Sequence, residues 1–133
     1  MHGLGDACLE RWADRLRAAS AGQTPLRLCG SGSKDFYGQS QCGEMLDTRE
    51  YAGIVAYEPT ELVVTARCGT PLARLEEVLA EKGQSLAFEP PHFGAGATVG
   101  GCVASGLAGP RRAQAGAVRD FVLGVKILDG QGE

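Results

Sequence analysis

Two glycine-rich stretches hold the residues best suited to chemistry. The first is Gly30-Ser31-Gly32-Ser33-Lys34-Asp35-Phe36 and the second is Gly96-Ala97-Thr98-Val99-Gly100-Gly101-Cys102, roughly 65 positions later. Glycine has no Cβ to hold a ligand away from the backbone. Successive N–H groups aimed into one hollow can therefore take phosphate oxygens without a charged side chain. For the first stretch alone, an ordinary turn is the competing reading. It is no dinucleotide fingerprint, because G-x-G-x-x-G needs glycine where Asp35 stands. It is no P-loop either, since Lys34 follows Ser33. The second stretch precedes an expected helix start, where phosphates bind readily. Close packing of a short helix on a strand selects the same small residues and is the alternative there. Taken together, two such hollows suit a diphosphate held between two lobes.

The other reactive side chains form no constellation. Five cysteines, at 8, 29, 42, 68 and 102, show no CxxC spacing and read as reduced structural thiols. No metal site is expected. His2 reads as solvent-exposed, and His92 as part of a turn, with a position facing a bound ring as the alternative. Arg111 and Arg112 read as solvated loop charges, with a partner contact as the alternative. Glu76, Glu77 and Glu81 read as an exposed helix face. No Ser/His/Asp set or carboxylate pair can be assembled.

The elements that position these stretches follow from periodicity. Leu4, Cys8, Trp12 and Leu16 make the stripe of a helix over about 4–20. Leu26 to Cys29 reads as a strand running into the first glycine stretch, and Met45 to Asp47 as a second short strand. Gly53 to Tyr57 and Leu62 to Arg67 are two further strands, rich in β-branched and aromatic residues. Thr70 is expected to cap a helix with Pro71 at its first position, with Leu72, Leu75, Val78 and Leu79 facing inward and Gly83 ending it. Gln84 to Phe88 reads as a strand, and Thr98 to Ser105 as a short helix. Phe121 to Leu128 alternates at period two and reads as the longest strand, leading into the turn pair Asp129-Gly130. With three residues after that pair, the edge has no return strand. The chain is therefore expected to be a fragment, whose strand 121–128 pairs between copies.

Composition bounds the rest. A length of 133 residues suits one domain, and 44% hydrophobic with 22% charged residues is a globular balance. Glycine, at 20 residues, is about twice the usual 7%. The net charge of −3 offers no basic face for nucleic acid. No apolar run has the roughly 20 residues a membrane span needs. The first twenty residues carry Asp6, Glu10, Arg11, Asp14, Arg15 and Arg17, unlike a signal peptide, so a cytoplasmic location is expected.

Four segments in order, CGSGSKDFYG, ARCGTPLARLEEVLAEKG, PPHFGAGATVGGCVASGLAGP and GAVRDFVLGVKILDGQGE, resemble the FAD-binding domain of the vanillyl-alcohol oxidase (PCMH) type. Within that family the likeness is greatest to the E-subunit branch of glycolate oxidase complexes, over about residues 25–133. The resemblance implies an α/β (α+β) domain of two lobes, here about 1–88 and the start of a second lobe from 89 to 133. FAD would extend between them. Gly30, Ser31, Gly32, Ser33, Lys34, Asp35 and Phe36 would wrap its diphosphate, with Ala97, Thr98, Val99, Gly100, Gly101 and Cys102 on the other side. Pro91, Ser105 and Gly106 would line the approach to the flavin ring, and Asp120 would order the loop before the long strand. Some relatives hold flavin covalently through a histidine in the first loop. Ser33-Lys34-Asp35 stands there, so the FAD is expected to be noncovalent. Cys29 occupies a place where many relatives have Arg.

The implied activity is oxidation of a 2-hydroxy acid such as glycolate, together with a catalytic flavoprotein subunit and an iron-sulfur subunit. A peripheral membrane position within such a complex is the alternative to a free cytoplasmic one. The family's later FAD contacts and substrate domain lie beyond Glu133, so no oxidation is expected of this chain alone. The rival readings are an assembly scaffold without redox activity and a nucleotide-binding module.

Overall fold

Apolar residues spaced for a helix, followed by short β-branched runs, give α1 (Leu4–Ala21), β1 (Leu26–Cys29) and β2 (Glu44–Asp47). The structure is a computed structural model that describes residues 4–133, so the expectation for His2 lies outside it. β1 and β2 are parallel, with Leu26 opposite Glu44 and Cys29 opposite Asp47. Parallel neighbours cannot be joined by a tight turn. The chain from 30 to 43 must therefore cross over, and the first glycine stretch opens that crossover. α1 covers the pair with Cys8 and Trp12 against Leu46, and Leu26, Tyr51, Cys68 and Leu128 pack around them. The Trp12 indole N–H donates to Glu50 Oε1 at 2.8 Å, so its polar edge is satisfied.

β3 (Ile54–Glu58) and β4 (Val63–Ala66) form an antiparallel hairpin with a bulge between Ile54 and Ala56. α2 (Leu72–Ala80) buries Leu72, Leu75 and Leu79, while Val78 is half-buried. Gly83 takes the expected left-handed conformation, φ 67°. The expected cap does not form. Thr70 is buried, and its hydroxyl accepts the Gly53 N–H at 2.9 Å and donates to the Arg67 carbonyl at 2.7 Å. Pro71 is itself the N-cap residue, and the Leu72 N–H goes to the Ala97 carbonyl at 2.7 Å. The second glycine stretch thus satisfies the start of α2, which frees Thr70 to tie the loop before β3.

α3 (Val99–Ser105), α4 (Arg112–Ala115) and α5 (Val118–Phe121) complete the elements. The main core joins Leu72, Leu75 and Leu79 of α2 to Phe88, Ala97, Cys102, Ala108 and Val118. The result is a mixed α+β fold with two small sheets. No helix among the described residues is long and apolar enough to cross a membrane. None of their His, Cys, Asp and Glu side chains cluster in a way that could hold a metal ion.

Two expected strands are absent. Residues 84–88 form no strand: the Gln84 N–H donates to the Leu79 carbonyl at 3.0 Å, and its side chain accepts from the Tyr57 hydroxyl at 2.6 Å and donates to the Pro59 carbonyl at 2.8 Å. Phe88 is then drawn into the core as an anchor. Residues 121–128 also form no strand: Val118–Phe121 is a helical turn, and no strand lies beside 122–128. A period-two apolar pattern is stable as a strand only with a ladder partner. Without one, Leu123, Val125 and Ile127 stand 81, 63 and 75% exposed. The segment is fixed at both ends. The Phe121 ring lies 5.4 Å from that of Phe88, and Leu128 packs under α1. The turn expected at Asp129-Gly130 does form. Asp129 Oδ1 accepts the N–H groups of Gln131 and Glu133, both at 2.9 Å, and the Gly132 carbonyl accepts from Arg17 of α1 at 2.9 Å.

Candidate functional site

The crossover after β1 and the loop before α3 meet. A Cβ on Gly30 would stand 2.8 Å from Thr98 Oγ1, and one on Gly96 would stand 2.8 Å from Ser31 Cβ. Only glycine lets the backbone lie this close to a neighbouring side chain. The Phe36 and Phe93 rings meet edge-to-face at 5.1 Å and extend the seam outward. Phe93 was not singled out from sequence; an aromatic residue in each glycine-rich region was the available signal.

Which N–H groups are free defines what the seam can hold. In the first stretch, Asp35 N donates to the Gly32 carbonyl at 3.0 Å. Among the described residues, the N–H groups of Gly30, Ser31, Gly32, Ser33 and Lys34 meet no acceptor. Asp35 itself is paired with Arg27, whose guanidinium also donates to Gln41 Oε1 at 3.0 Å. Donating a hydrogen bond to that carboxylate raises the Arg27 pKa. The Asp35 carboxylate nevertheless stays over its own loop, since a Cβ on Gly32 would stand 3.0 Å from Asp35 Oδ2.

The second stretch is already anchored. Val99 N donates to the Thr70 carbonyl and Gly100 N to the Cys68 carbonyl, each at 2.8 Å. Gly101 N donates to Thr98 Oγ1 at 3.1 Å, the N-cap of α3. Gly100 has no room for more, since its Cβ would stand 2.9 Å from the Cys68 carbonyl oxygen. The amides still without a protein acceptor lie just upstream, at Gly96, Ala97 and Thr98. Cys102 is buried behind them. Burial pushes its thiol pKa up, the Lys34 charge opposes that shift, and Glu76 adds to it.

The remaining candidates do local work. The Ser105 hydroxyl turns back to the Cys102 carbonyl at 3.2 Å, and Gly106 ends α3 in the left-handed region at φ 64°. Asp120 Oδ2 accepts the Ala117 N–H at 2.7 Å and so orders the loop before α5. Pro91 is half-buried. His92 Nε2 lies 3.0 Å from Glu76 Oε2 on α2, giving both residues a structural partner. Arg111 is paired with Glu89 at 3.0 Å and Arg112 opens α4, so neither is a simple loop charge. Two surface depressions lie outside 30–36 and 96–102. One, of about 560 Å³, is lined by Arg11, Trp12, Arg15, Met45, Asp47 and Glu50. The other, of about 390 Å³, includes Val103, Gly106, Val118 and Val122.

The profile of a family described as "FAD binding domain" matches residues 8–133. The chain belongs to this FAD-binding domain family. It is similar to the glycolate oxidase subunit GlcE of Escherichia coli (strain K12), 53% identical over 120 residues, which are 90% of this chain and 34% of that protein. It is also similar to L-gulonolactone oxidase 3 of Arabidopsis thaliana, 29% identical over 105 residues, 78% of this chain and 16% of that protein. The chain therefore spans about a third or less of the length of these curated relatives.

The residues present fit the family's cofactor on one structural ground. The seam holds two runs of backbone N–H groups without protein acceptors, at 30–34 and 96–98, brought together where Gly30 and Gly96 keep it narrow. Such hollows suit phosphate oxygens. The Asp35 carboxylate beside Gly32 is balanced by the Arg27 guanidinium.

Proposed function

We propose that the chain is the noncovalent FAD-binding portion of a flavin-dependent oxidoreductase for a 2-hydroxy acid, with glycolate as the substrate. The contact between the two glycine stretches carries this reading, supported by 53% identity to a glycolate oxidase subunit. Bound FAD supplies the two-electron redox chemistry. The chain's part is to hold and orient it. Free N–H groups of Gly30, Ser31, Gly32, Ser33 and Lys34 take diphosphate oxygens from one side, and those of Gly96, Ala97 and Thr98 from the other. Val99, Gly100, Gly101 and Cys102 keep that second loop in place. Asp35 holds the first loop through Arg27, and Phe36 with Phe93 walls one end of the seam against water. Pro91, Ser105 and Gly106 line the way to the flavin ring, while Asp120 fixes the approach to 121–128.

In this reading the seam lies between a first lobe of about 1–88 and a second that begins at 89. The chain works with a catalytic flavoprotein subunit and an iron-sulfur subunit, in the cytoplasm or at the inner face of the membrane. Its open strip at Leu123, Val125 and Ile127 is where a neighbouring copy pairs. Light scattering after size exclusion tests that pairing, and a monomer at all concentrations refutes it.

The cofactor assignment is tested by adding FAD and following thermal unfolding. A ligand that binds only the folded chain raises its melting temperature, by an amount that grows with ligand concentration. Saturating FAD with no shift, and no visible flavin band after purification, refutes it for this chain and leaves the scaffold reading.

A further inference from the structure

The two surface depressions differ in how their arginines are engaged. In the larger, Arg11 is paired with Glu50 at 2.9 Å and Arg15 donates to the Met45 carbonyl at 2.6 Å, so both cations are committed. The smaller, of about 390 Å³, is walled by residues of α3, α4 and α5. Its lining is apolar at Val103, Val118 and Val122 and cationic at Arg112 and Arg119, and no carboxylate lines it. Among the described residues Arg112 has no ion pair. Arg119 Nε reaches Asp120 Oδ1 only at 4.0 Å, and the other oxygen of that carboxylate accepts the Ala117 N–H at 2.7 Å. In a chain of net charge −3, two guanidiniums thus stand without a close counter-charge beside three valines.

We propose that this depression binds a free organic carboxylate with a short apolar body. Its volume falls within the range of about 300–1,000 Å³ usual for small-molecule sites. Guanidinium forks match a carboxylate and hold it by charge-assisted hydrogen bonds. The valines favour an apolar chain attached to it, since each methylene removed from water adds to binding. The site does not rest on the FAD reading, because the depression lies outside 30–36 and 96–102 and shares only Gly106 with the proposed way to the flavin ring.

The test follows backbone amide shifts of the chain during titration with hexanoate, 1-hexanol and acetate at about pH 7. The expected result is saturable shifts at Val103, Gly106, Val118 and Val122. Hexanoate should bind about tenfold or more tighter than hexanol, which lacks the charge, or acetate, which lacks the chain. Arg112→Gln and Arg119→Gln should each weaken hexanoate about threefold and leave hexanol unchanged, the scale of an exposed ion pair. Both arginines are exposed, and the comparison of ligands on the wild-type chain decides the matter even where a variant fails to fold. No saturable shift at these four residues overturns the proposal, as does hexanol or acetate matching hexanoate, or folded variants matching wild type. Added FAD should leave hexanoate affinity unchanged, and displacement of hexanoate by FAD would give the depression to the cofactor and overturn the separate site. Failure of FAD to bind overturns the FAD reading alone.

Discussion

Replacing Gly30 by Ala puts a methyl group against the residue that caps α3. The new Cβ would stand 2.8 Å from Thr98 Oγ1, about 0.6 Å short of ordinary contact at 3.4 Å. Thr98 cannot yield cheaply. It is 4% exposed, and its Oγ1 holds the Gly101 N–H at 3.1 Å. Rotating it away removes an N-cap, at about 0.5–2 kcal/mol. Leaving it in place overpacks a filled site, at about 1–3 kcal/mol. Gly30 is not at positive φ, so the backbone itself accepts alanine. Gly30→Ala is therefore expected to cost about 1–2 kcal/mol and to weaken FAD binding by prising the two stretches apart. Urea unfolding followed through Trp12, the sole tryptophan, reads the stability. Thr98→Ala removes both cap and obstacle, so the double variant should lose less than the two single losses combined, by about 0.5 kcal/mol or more. An unchanged midpoint for Gly30→Ala, or strict additivity with Thr98→Ala, refutes the reasoning.

Asp120→Ala should cost about 1 kcal/mol in urea unfolding, as for a lost cap, and Asp120→Asn less, since an oxygen can still accept the Ala117 N–H. FAD affinity should be unchanged in both; a matching loss of affinity would show that Asp120 touches the cofactor. Arg49, through its side chain and backbone N–H, lowers the Asp47 carboxyl from 3.8 to about 2. A depressed folded pKa stabilises above the unfolded value, and that stability is lost as pH falls from about 4 to about 2. With the pair 58 and 40% exposed, it is worth less than about 1 kcal/mol. Asp47→Asn should thus unfold at lower urea above pH 4 and converge with wild type near pH 2; parallel curves refute this. With iodoacetamide at about pH 8, the exposed Cys42 should label quickly. Cys8 and Cys102, both buried and both pushed up in pKa chiefly by burial, should label only as the chain unfolds. Fast labelling of Cys102 in folded protein, read by mass spectrometry, would contradict the packing of α3.

The elements that repeat a local pattern were legible in sequence. Cys8 and Trp12 lie on one stripe of α1, and β1 to β4 follow their β-branched and apolar runs to within a residue or two. The short helix expected over 98–105 forms as α3, starting one residue later because Thr98 is its N-cap and accepts the Gly101 N–H. Failures came where a residue's partner is remote in sequence. Thr70 looks like a cap locally, yet Gly53 claims its hydroxyl and Ala97 claims the Leu72 amide. Residues 84–88 and 121–128 have strand composition, but a strand also requires a neighbour, and composition does not supply one. At the candidate site, the glycine spacing announced close approach but not which amides remain free. The carbonyls of Cys68 and Thr70 decide that for Val99 and Gly100, and no spacing rule links those residues.

The anchoring of α3 gives the seam a rigid jaw and a compliant one. With three amides held by 68–70 and Thr98, the side at 96–102 keeps its shape with nothing bound and loses little conformational freedom when a guest arrives. The side at 30–34 is braced by the Asp35 N–H on the Gly32 carbonyl and by the Arg27–Asp35 pair, while its own amides meet no acceptor among the described residues. Under the proposed function, the ordering cost of binding falls mainly on that short loop. Stiffening that loop, rather than deepening the hollow, is the direct route to a tighter grip.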